Sequence, residues 1–434
     1  MHKKISNWGL YPKVNAEILS ASTKGKIELQ SIPFISRGLG RSYGDASLAT
    51  TVLDCTSRNQ ILQVDATIGL IECEAGVTLK QILETVVPHG WFPAVTPGTA
   101  YVTVGGAIST DVHGKNHFAK GNFSNFVTEI KLQLASGDVV SCSTDKTSEL
   151  FNGICGGMGL LGIIVSAKIQ LQKISSSYFT ETSIRTSGIS SVIQLLKENK
   201  DEFCVAWVNC YTQPVAGIFS SAHYTTHEEF EQSNLKEQFA LNKKSKINIP
   251  FAPPFSLLNR FNMKLYNRYI GQKKLSQNRL VHYNEFHYPL DNLNNWNRLY
   301  GSNGMLQYQF VLPDENAEAG IKEIFDLMKS AICESYLAVV KRFGDEKRIL
   351  SFPMKGICVA LDFPASKKVF ELMTKMDEVV VKAKGRFYLA KDARMSREVF
   401  LETQPRVEEF LALKKNYDPQ NIFSSLQSKR LLGV

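Results

Sequence analysis

The spacing of apolar and polar positions divides the chain into stretches of different character. Residues 69–74 alternate, and 127–135 read VTEIKLQLA, the period-two pattern of a strand with one buried face. Ser136-Gly137-Asp138 predicts a turn, so 139–143 is expected to return as a hairpin partner. A longer period-two run predicts a strand over 162–174, and 32–36 is a short apolar strand. Gly76-Val77-Thr78 opens a segment that puts Leu79, Ile82, Leu83 and Val86 at helical spacing, and 147–154 also reads as helix.

Beyond residue 175 the beat changes. The pattern predicts helices over 189–200, 314–333 and 366–384, and strands over 204–211, 306–312, 336–342, 357–363 and 386–389. Shorter helices are expected near 396–400 and 404–416. Residues 238–284, with Pro250, Pro253 and Pro254, read as irregular. Strands and helices mix without a regular strand–helix–strand alternation, which predicts an α+β protein, and the length suggests two or three domains.

Composition narrows the class. Of 434 residues, 44% are hydrophobic and 21% charged, which excludes wholesale disorder. No run of eighteen apolar residues occurs, and no apolar stretch follows the basic N-terminus, so neither a membrane span nor a signal peptide is expected. A cytoplasmic location is the default, with peripheral attachment at the inner membrane surface left open. The eight cysteines are scattered with no C-x-x-C pair, and read as reduced thiols in apolar surroundings.

The charge balance is +9, from 50 Lys+Arg against 41 Asp+Glu. Its position matters more than its sum. Between 238 and 284 lie Lys243, Lys244, Lys246, Arg260, Lys264, Arg268, Lys273, Lys274 and Arg279, with no acidic residue. The rest of the chain therefore balances at 41 against 41. Phe251, Phe255, Phe261, Leu265, Tyr266 and Tyr269 are interleaved with these cations. Such a segment suits an anionic membrane interface or a lipid phosphate; it also reads as a solvated loop whose apolar residues cover the domain. No nucleic-acid module is present, so no nucleic-acid partner is expected.

Three local patterns mislead. Gly40-Arg41-Ser42-Tyr43-Gly44 fits the G-x-S-x-G of serine hydrolases, but no long helix follows it. Residues 157–162 fit G-x-G-x-x-G, yet follow a helix and open a strand, the reverse of a dinucleotide fingerprint. His113 and His117 are four apart but separated by Gly114 without a Glu, unlike a zinc helix, so no metal site is expected.

The informative pattern is a pair of loops, 37–45 and 96–117, both dense in Gly beside hydrogen-bonding residues. Gly lets backbone N–H groups approach an anion closely, and Arg37, Arg41 and Lys115 add positive charge. Either loop alone reads rather as a set of tight turns. Two in one domain favour a diphosphate held between them.

RGLGRSYGD at 37–45, TPGT at 96–99, TVGGAI at 103–108, DVHGKNH at 111–117 and YLAKDAR at 388–394 together resemble the flavin-dependent oxidoreductases of the vanillyl-alcohol oxidase type. LQYQF at 306–310, KRFG at 341–344 and DFP at 362–364 are similar to one subgroup, the decaprenylphosphoryl-β-D-ribose 2′-oxidases. The resemblance runs from about residue 8 to the end. It implies a two-domain flavoenzyme. An FAD-binding domain would be made of 1–175 and completed by 386–434, with 176–385 as the substrate domain. Arg37, Gly38, Leu39, Gly40, Arg41, Ser42 and Tyr43 would wrap the pyrophosphate. Gly98, Thr99, Val104, Gly105, Gly106, Ala107, His113, Gly114 and Asn116 would line the pyrophosphate and the flavin ring. Gly159 and Ile163 would reach the adenine side, and Tyr388 and Ala390 would return to the ring. Many relatives carry a His before Ser in the first loop, bonded covalently to the flavin. Arg41 occupies that slot here and cannot make the bond, which implies non-covalent FAD.

The resemblance further implies oxidation of the C2 hydroxyl of a polyprenyl-phosphoryl pentose or related sugar. Hydride would pass to the flavin, and a separate short-chain reductase would complete an epimerisation in cell-envelope polysaccharide synthesis. The alternative is a flavin oxidase or dehydrogenase of a soluble sugar, alditol or aldonolactone. Lys391 and His113 are the expected catalytic residues, with the choice of base open. Tyr43, Lys115, Gln307, Gln309, Lys341 and Lys391 are the expected substrate contacts. Gln307 and Gln309 lie two apart on one strand and so share a face. Asp392 and Arg394 are expected to pair structurally.

Overall fold

The computed structural model describes residues 2–22, 25–29, 32–212, 214–241, 247–346 and 348–434. Lys243, Lys244 and Lys246 of the basic segment lie outside the described residues. Three main sheets organise the chain. In the first, His2–Ser6 pairs antiparallel with Lys13–Ser20, which runs parallel to Thr51–Asp54 and, beyond it, Ile35–Arg37. The second is antiparallel, in the order Ile61–Asp65, Leu70–Glu74, Ile163–Lys173, Val127–Gln133, Val139–Cys142, with Trp91–Pro93 also on Ile163–Lys173. The helix Leu79–Val86 buries Leu79, Ile82, Leu83 and Val86, the face its spacing predicts, and a Thr78–Gln81 capping box starts it.

The third sheet has eight strands. Its order is Arg279–His282, Tyr178–Ser187, Ala216–Tyr224, Phe203–Asn209, Ala338–Phe343, Gly356–Pro364, Met305–Leu312, Arg386–Phe387. Period two assigns its faces. Ala206, Val208, Val340, Val359, Tyr308 and Phe310 belong to the main core, which also holds the inner faces of Ile189–Glu198, Ala317–Ser330 and Lys367–Lys382. Their neighbours Val205, Trp207, Ile218, Val339, Ala360 and Gln307 face a large cavity on the opposite side. The sheet is thus a partition, with helices behind it and the cavity in front.

Several elements differ from expectation. Residues 238–284 are not irregular throughout: they contain the twelve-residue helix Arg260–Gly271 and the strand Arg279–His282. That helix buries only Met263 and Asn267, too sparse a stripe to show as a period, and a capping box between Asn259 and Asn262 starts it. Tyr178–Ser187 and Ala216–Tyr224, which the pattern leaves unassigned, are central strands. Their Ser, Thr and Glu positions blur the alternation. The strand expected over 386–389 stops at Phe387: the Tyr388 N–H still bonds to the Gln309 carbonyl, but the Tyr388 carbonyl accepts from the Lys391 N–H and the chain turns. All eight cysteines are free thiols, with only Cys333 partly exposed. Among the described residues, no helix is long and apolar enough to cross a membrane.

Candidate active site

The first glycine loop leaves the strand Ile35–Arg37 and is clamped from below. Arg37 Nη2 donates to the Ser6 carbonyl at 2.8 Å, and its Nε to Asn7 Oδ1 at 3.2 Å. Asn7 Nδ2 in turn donates to the Gly44 carbonyl at 2.9 Å. Arg37 therefore shapes the loop with its side chain. Arg41 stacks its guanidinium on Trp8, 4.1 Å from the ring centroid, with Tyr101 at 5.3 Å. Gly44 is a point of close approach: a Cβ there would lie 2.7 Å from Ala393 Cα. Side by side with it, the Tyr43 N–H donates to the Ala390 carbonyl at 2.8 Å. The first loop and the 388–394 turn are thereby locked together.

The second loop is pinned at its base. Val104 and Gly105 donate their N–H groups to the carbonyls of Val77 and Ala75, both at 2.8 Å. Asn116 Nδ2 donates to the Ala94 carbonyl at 2.9 Å and to Glu202 at 3.1 Å. Val104, Ala107, Gly114 and Asn116, expected to line the cofactor site, do not border the cavity, because their backbone or side-chain bonds turn them into the protein. Arg37 to Tyr43, Gly98, Thr99, Gly105, Gly106, His113, Gly159, Ile163, Tyr388 and Ala390 border it, as do Lys115, Gln307, Gln309, Lys341 and Lys391. The cavity encloses about 700 Å³.

Its walls suit an elongated, phosphate-bearing cofactor. Among the described residues, the N–H groups of 39–42 and of Gly98 and Thr99 donate to no protein acceptor. Backbone donors left free beside a cavity form an anion-binding nest. A Cβ on Gly98 would meet nothing within 4 Å, so that backbone lies open to the space. FAD would fit with its pyrophosphate against residues 38–43 and 98–99.

The polar end of the cavity is built on the large sheet. Gln307 and Gln309 do share a face, while Tyr308 between them points away and donates to Asp377 at 2.9 Å. Gln309 Nε2 donates to His113 Nε2 at 3.0 Å. With the amide so oriented, the imidazole carries its proton on Nδ1, an atom without a hydrogen-bond partner among the described residues. The ring packs against Phe343, Phe352 and Tyr388. Burial first, then Lys341, hold its pKa well below the ordinary histidine range, so it is neutral at pH 7.

Gln307 is held by a residue that sequence reasoning did not assign to the site. Asp362 lies directly opposite it in the ladder and accepts from its Nε2 at 2.5 Å. The other carboxylate oxygen, Oδ2, is buried and has no hydrogen-bond partner among the described residues. The signal was present: Asp362 is a lone charge in the apolar run GICVALDFP. Burial raises its pKa above the ordinary carboxylate range, opposed by Gln307 and Lys391. Lys391 Nζ sits 3.7 Å from the Tyr43 ring centroid. Burial lowers its pKa, Asp362 opposes that shift and Lys341 reinforces it. Lys341 is itself lowered by burial. Lys115 donates to the Phe286 carbonyl, lies over that ring, and is lowered to about 8 by burial, with Glu181 opposing.

Asp392 and Arg394 pair through the backbone, the Arg394 N–H donating to Asp392 Oδ1 at 3.0 Å, while their side chains go to other partners. Arg394 binds Asp377 at 2.5 Å, and Asp392 shares Arg430 with Asp45, both at 2.8 Å. Arg430, on the helix Leu426–Leu431, thus ties the first loop to the turn that carries Lys391, a link with no sequence signature.

A family described as an FAD binding domain matches residues 26–143. The chain is 33% identical to decaprenylphosphoryl-beta-D-ribose oxidase of Mycolicibacterium smegmatis, an alignment covering 99% of this chain and 97% of that protein. It is 24% identical to probable L-gulonolactone oxidase 6 of Arabidopsis thaliana, over 98% of this chain and 78% of that one. A D-lactate dehydrogenase of Archaeoglobus fulgidus is 33% identical over 36% of this chain and 37% of its own length.

Proposed function

Because the chain belongs to the decaprenylphosphoryl-β-D-ribose oxidase family of FAD-dependent oxidoreductases acting on CH–OH groups, we propose that it oxidises the C2 hydroxyl of a polyprenyl-phosphoryl pentose or related sugar. In this reading 1–175 and 386–434 hold FAD non-covalently, and 176–385 hold the sugar. The observation that carries it is the convergence on one cavity of two glycine loops and three lysines, Lys115, Lys341 and Lys391. An alcohol that also bears a phosphate matches the charge of Lys115 and Lys341 beside the Lys391 amine; a neutral lactone does not use it.

FAD, when bound, supplies the hydride acceptor. The chain's own residues position the alcohol and take its proton. Lys391, its amine made less basic by burial, accepts that proton. His113 is less suited, since Nε2 is engaged by Gln309 and Nδ1 carries the proton; it orients Gln309. Gln307, fixed by Asp362, offers hydrogen bonds to the sugar. Tyr43 forms the floor beneath the Lys391 ammonium. The keto product would pass to a separate short-chain reductase, making this the first half of an epimerisation.

Anaerobic mixing tests the substrate. A lipid-linked phosphoryl ribose should bleach the flavin absorbance, and free sugars, alditols and aldonolactones should not. Bleaching by the soluble compounds alone would replace this reading with that of a soluble-sugar oxidase. Acid precipitation should release yellow cofactor into the supernatant; flavin fluorescence retained on the polypeptide would overturn the non-covalent assignment.

A further inference from the structure

The helix Arg260–Gly271 presents two unlike faces. Its inner face is anchored: Met263 and Asn267 are buried, Asn267 Nδ2 donates to the Tyr336 carbonyl at 3.1 Å, and Arg260 binds Glu334 at 2.6 Å. Its outer face carries Phe261, Leu265 and Tyr269, at i, i+4 and i+8, exposed by 74%, 52% and 64%. The segment leading into it adds Phe251 and Phe255, exposed by 68% and 66%. A soluble surface rarely concentrates large apolar side chains in this way.

This exposure does not come from a loose backbone. The Leu257 N–H donates to the Leu299 carbonyl at 2.8 Å, and the Ser302 N–H to Pro253 at 2.7 Å. Arg298 Nη1 donates to the Ile249 carbonyl at 2.7 Å. The aromatic side chains are held outward by a well-bonded strap. Beside the apolar stripe run Lys264 and Arg268, which form no ion pair among the described residues. No acidic residue lies between 247 and 271. Apolar side chains flanked by exposed cations complement a surface that is apolar inside and anionic at its rim.

We propose that this helix and strap seat the protein on an anionic lipid bilayer. Phe251, Phe255, Phe261, Leu265 and Tyr269 enter the headgroup–acyl boundary, and Lys264 and Arg268 meet the lipid phosphates. The docking stands whatever the substrate is. It has a positional consequence, because Tyr266 and Ile270 of the same helix border the cavity. One helix width, about 10 Å, separates the bilayer from the site.

The test is co-sedimentation of the full-length, FAD-loaded protein with vesicles. Binding is expected to phosphatidylglycerol–phosphatidylcholine vesicles and to be far weaker to phosphatidylcholine alone. Phe261→Ser/Leu265→Ser/Tyr269→Ser should abolish it while leaving flavin absorbance and thermal midpoint unchanged. Lys264→Gln/Arg268→Gln should weaken it roughly 30-fold at low salt, since each basic residue near an anionic surface accounts for about a fivefold factor. Absence of binding by the parent protein, or equal binding by the triple variant, would overturn the proposal. So would a concentration-dependent dimer that the triple variant dissociates, which would make a second copy the occupant of this face.

Discussion

Gly44→Ala is the sharpest probe of how the site is assembled. The added Cβ would fall 2.6 Å from the Asp392 carbonyl carbon and 2.7 Å from Ala393 Cα. Carbon atoms in contact prefer about 3.5–4.0 Å, so the first loop and the 388–394 turn must part by about 1 Å. Neither side can yield by a rotamer change, because both contacts are backbone. The Tyr43 N–H to Ala390 bond at 2.8 Å is the first casualty, and with it the seat of Lys391 over Tyr43. Overpacking of this kind costs about 1–3 kcal/mol of stability. A displacement of about 1 Å at a reacting group costs about 100-fold in rate. Stopped-flow measurement of anaerobic flavin bleaching at saturating substrate should therefore show a slowing near that factor. Thermal unfolding followed by flavin fluorescence should show a lower midpoint. A variant with the parent's rate and midpoint would refute the argument that this contact sets the geometry.

Lys391→Met keeps the side chain's bulk and removes the amine; turnover should fall by about 10²–10⁴-fold, the contribution of a positioned base, with flavin content unchanged. In the parent, kcat/KM should rise with pH through the lowered Lys391 pKa, since the proposed mechanism uses the neutral amine, and Lys391→Met should lose that acid limb. Asp362→Asn removes the charge that favours the ammonium form, so the acid limb should move to lower pH in a pH–rate profile. Arg430→Gln leaves Asp45 and Asp392 without their shared cation. Chemical denaturation should register a loss of about 3 kcal/mol, the low end for breaking a buried pair, because Arg430 keeps 25% of its side-chain surface exposed. Without Arg430 the folded-state pKa of Asp45, already raised by burial, rises further, so the deficit should shrink as pH falls.

Much of this arrangement is legible in the residues alone. The helix Leu79–Val86 and the strands Val127–Gln133 and Ile163–Lys173 sit where their periods place them, because each buries one face against one neighbour. The shared face of Gln307 and Gln309 follows from period two in the same way. What escapes is whatever depends on partners distant in sequence. Asp362 reads as a stray charge until the ladder sets it opposite Gln307. Arg430 carries no sequence signal, and its role appears only when the fold brings Asp45 and Asp392 to it. Arg260–Gly271 escapes for a different reason: a helix with apolar residues on its exposed side defeats the rule that apolar means buried.

The short strand Arg386–Phe387 closes one edge of the large sheet and delivers Lys391 a few residues later. This fixes the order in which a growing polypeptide acquires its chemistry. Until the ribosome has passed residue 391, the residues of both glycine loops, Gln307, Gln309 and Lys341 are all in the chain, yet the proposed proton acceptor and the turn that locks the first loop are missing. The free flank of Met305–Leu312, meanwhile, still offers unpaired backbone groups around Phe310 and Val311. Completion of the sheet and acquisition of the reactive amine are thus one event in biosynthesis. A product terminated before residue 386 lacks Lys391 and leaves that flank unpaired.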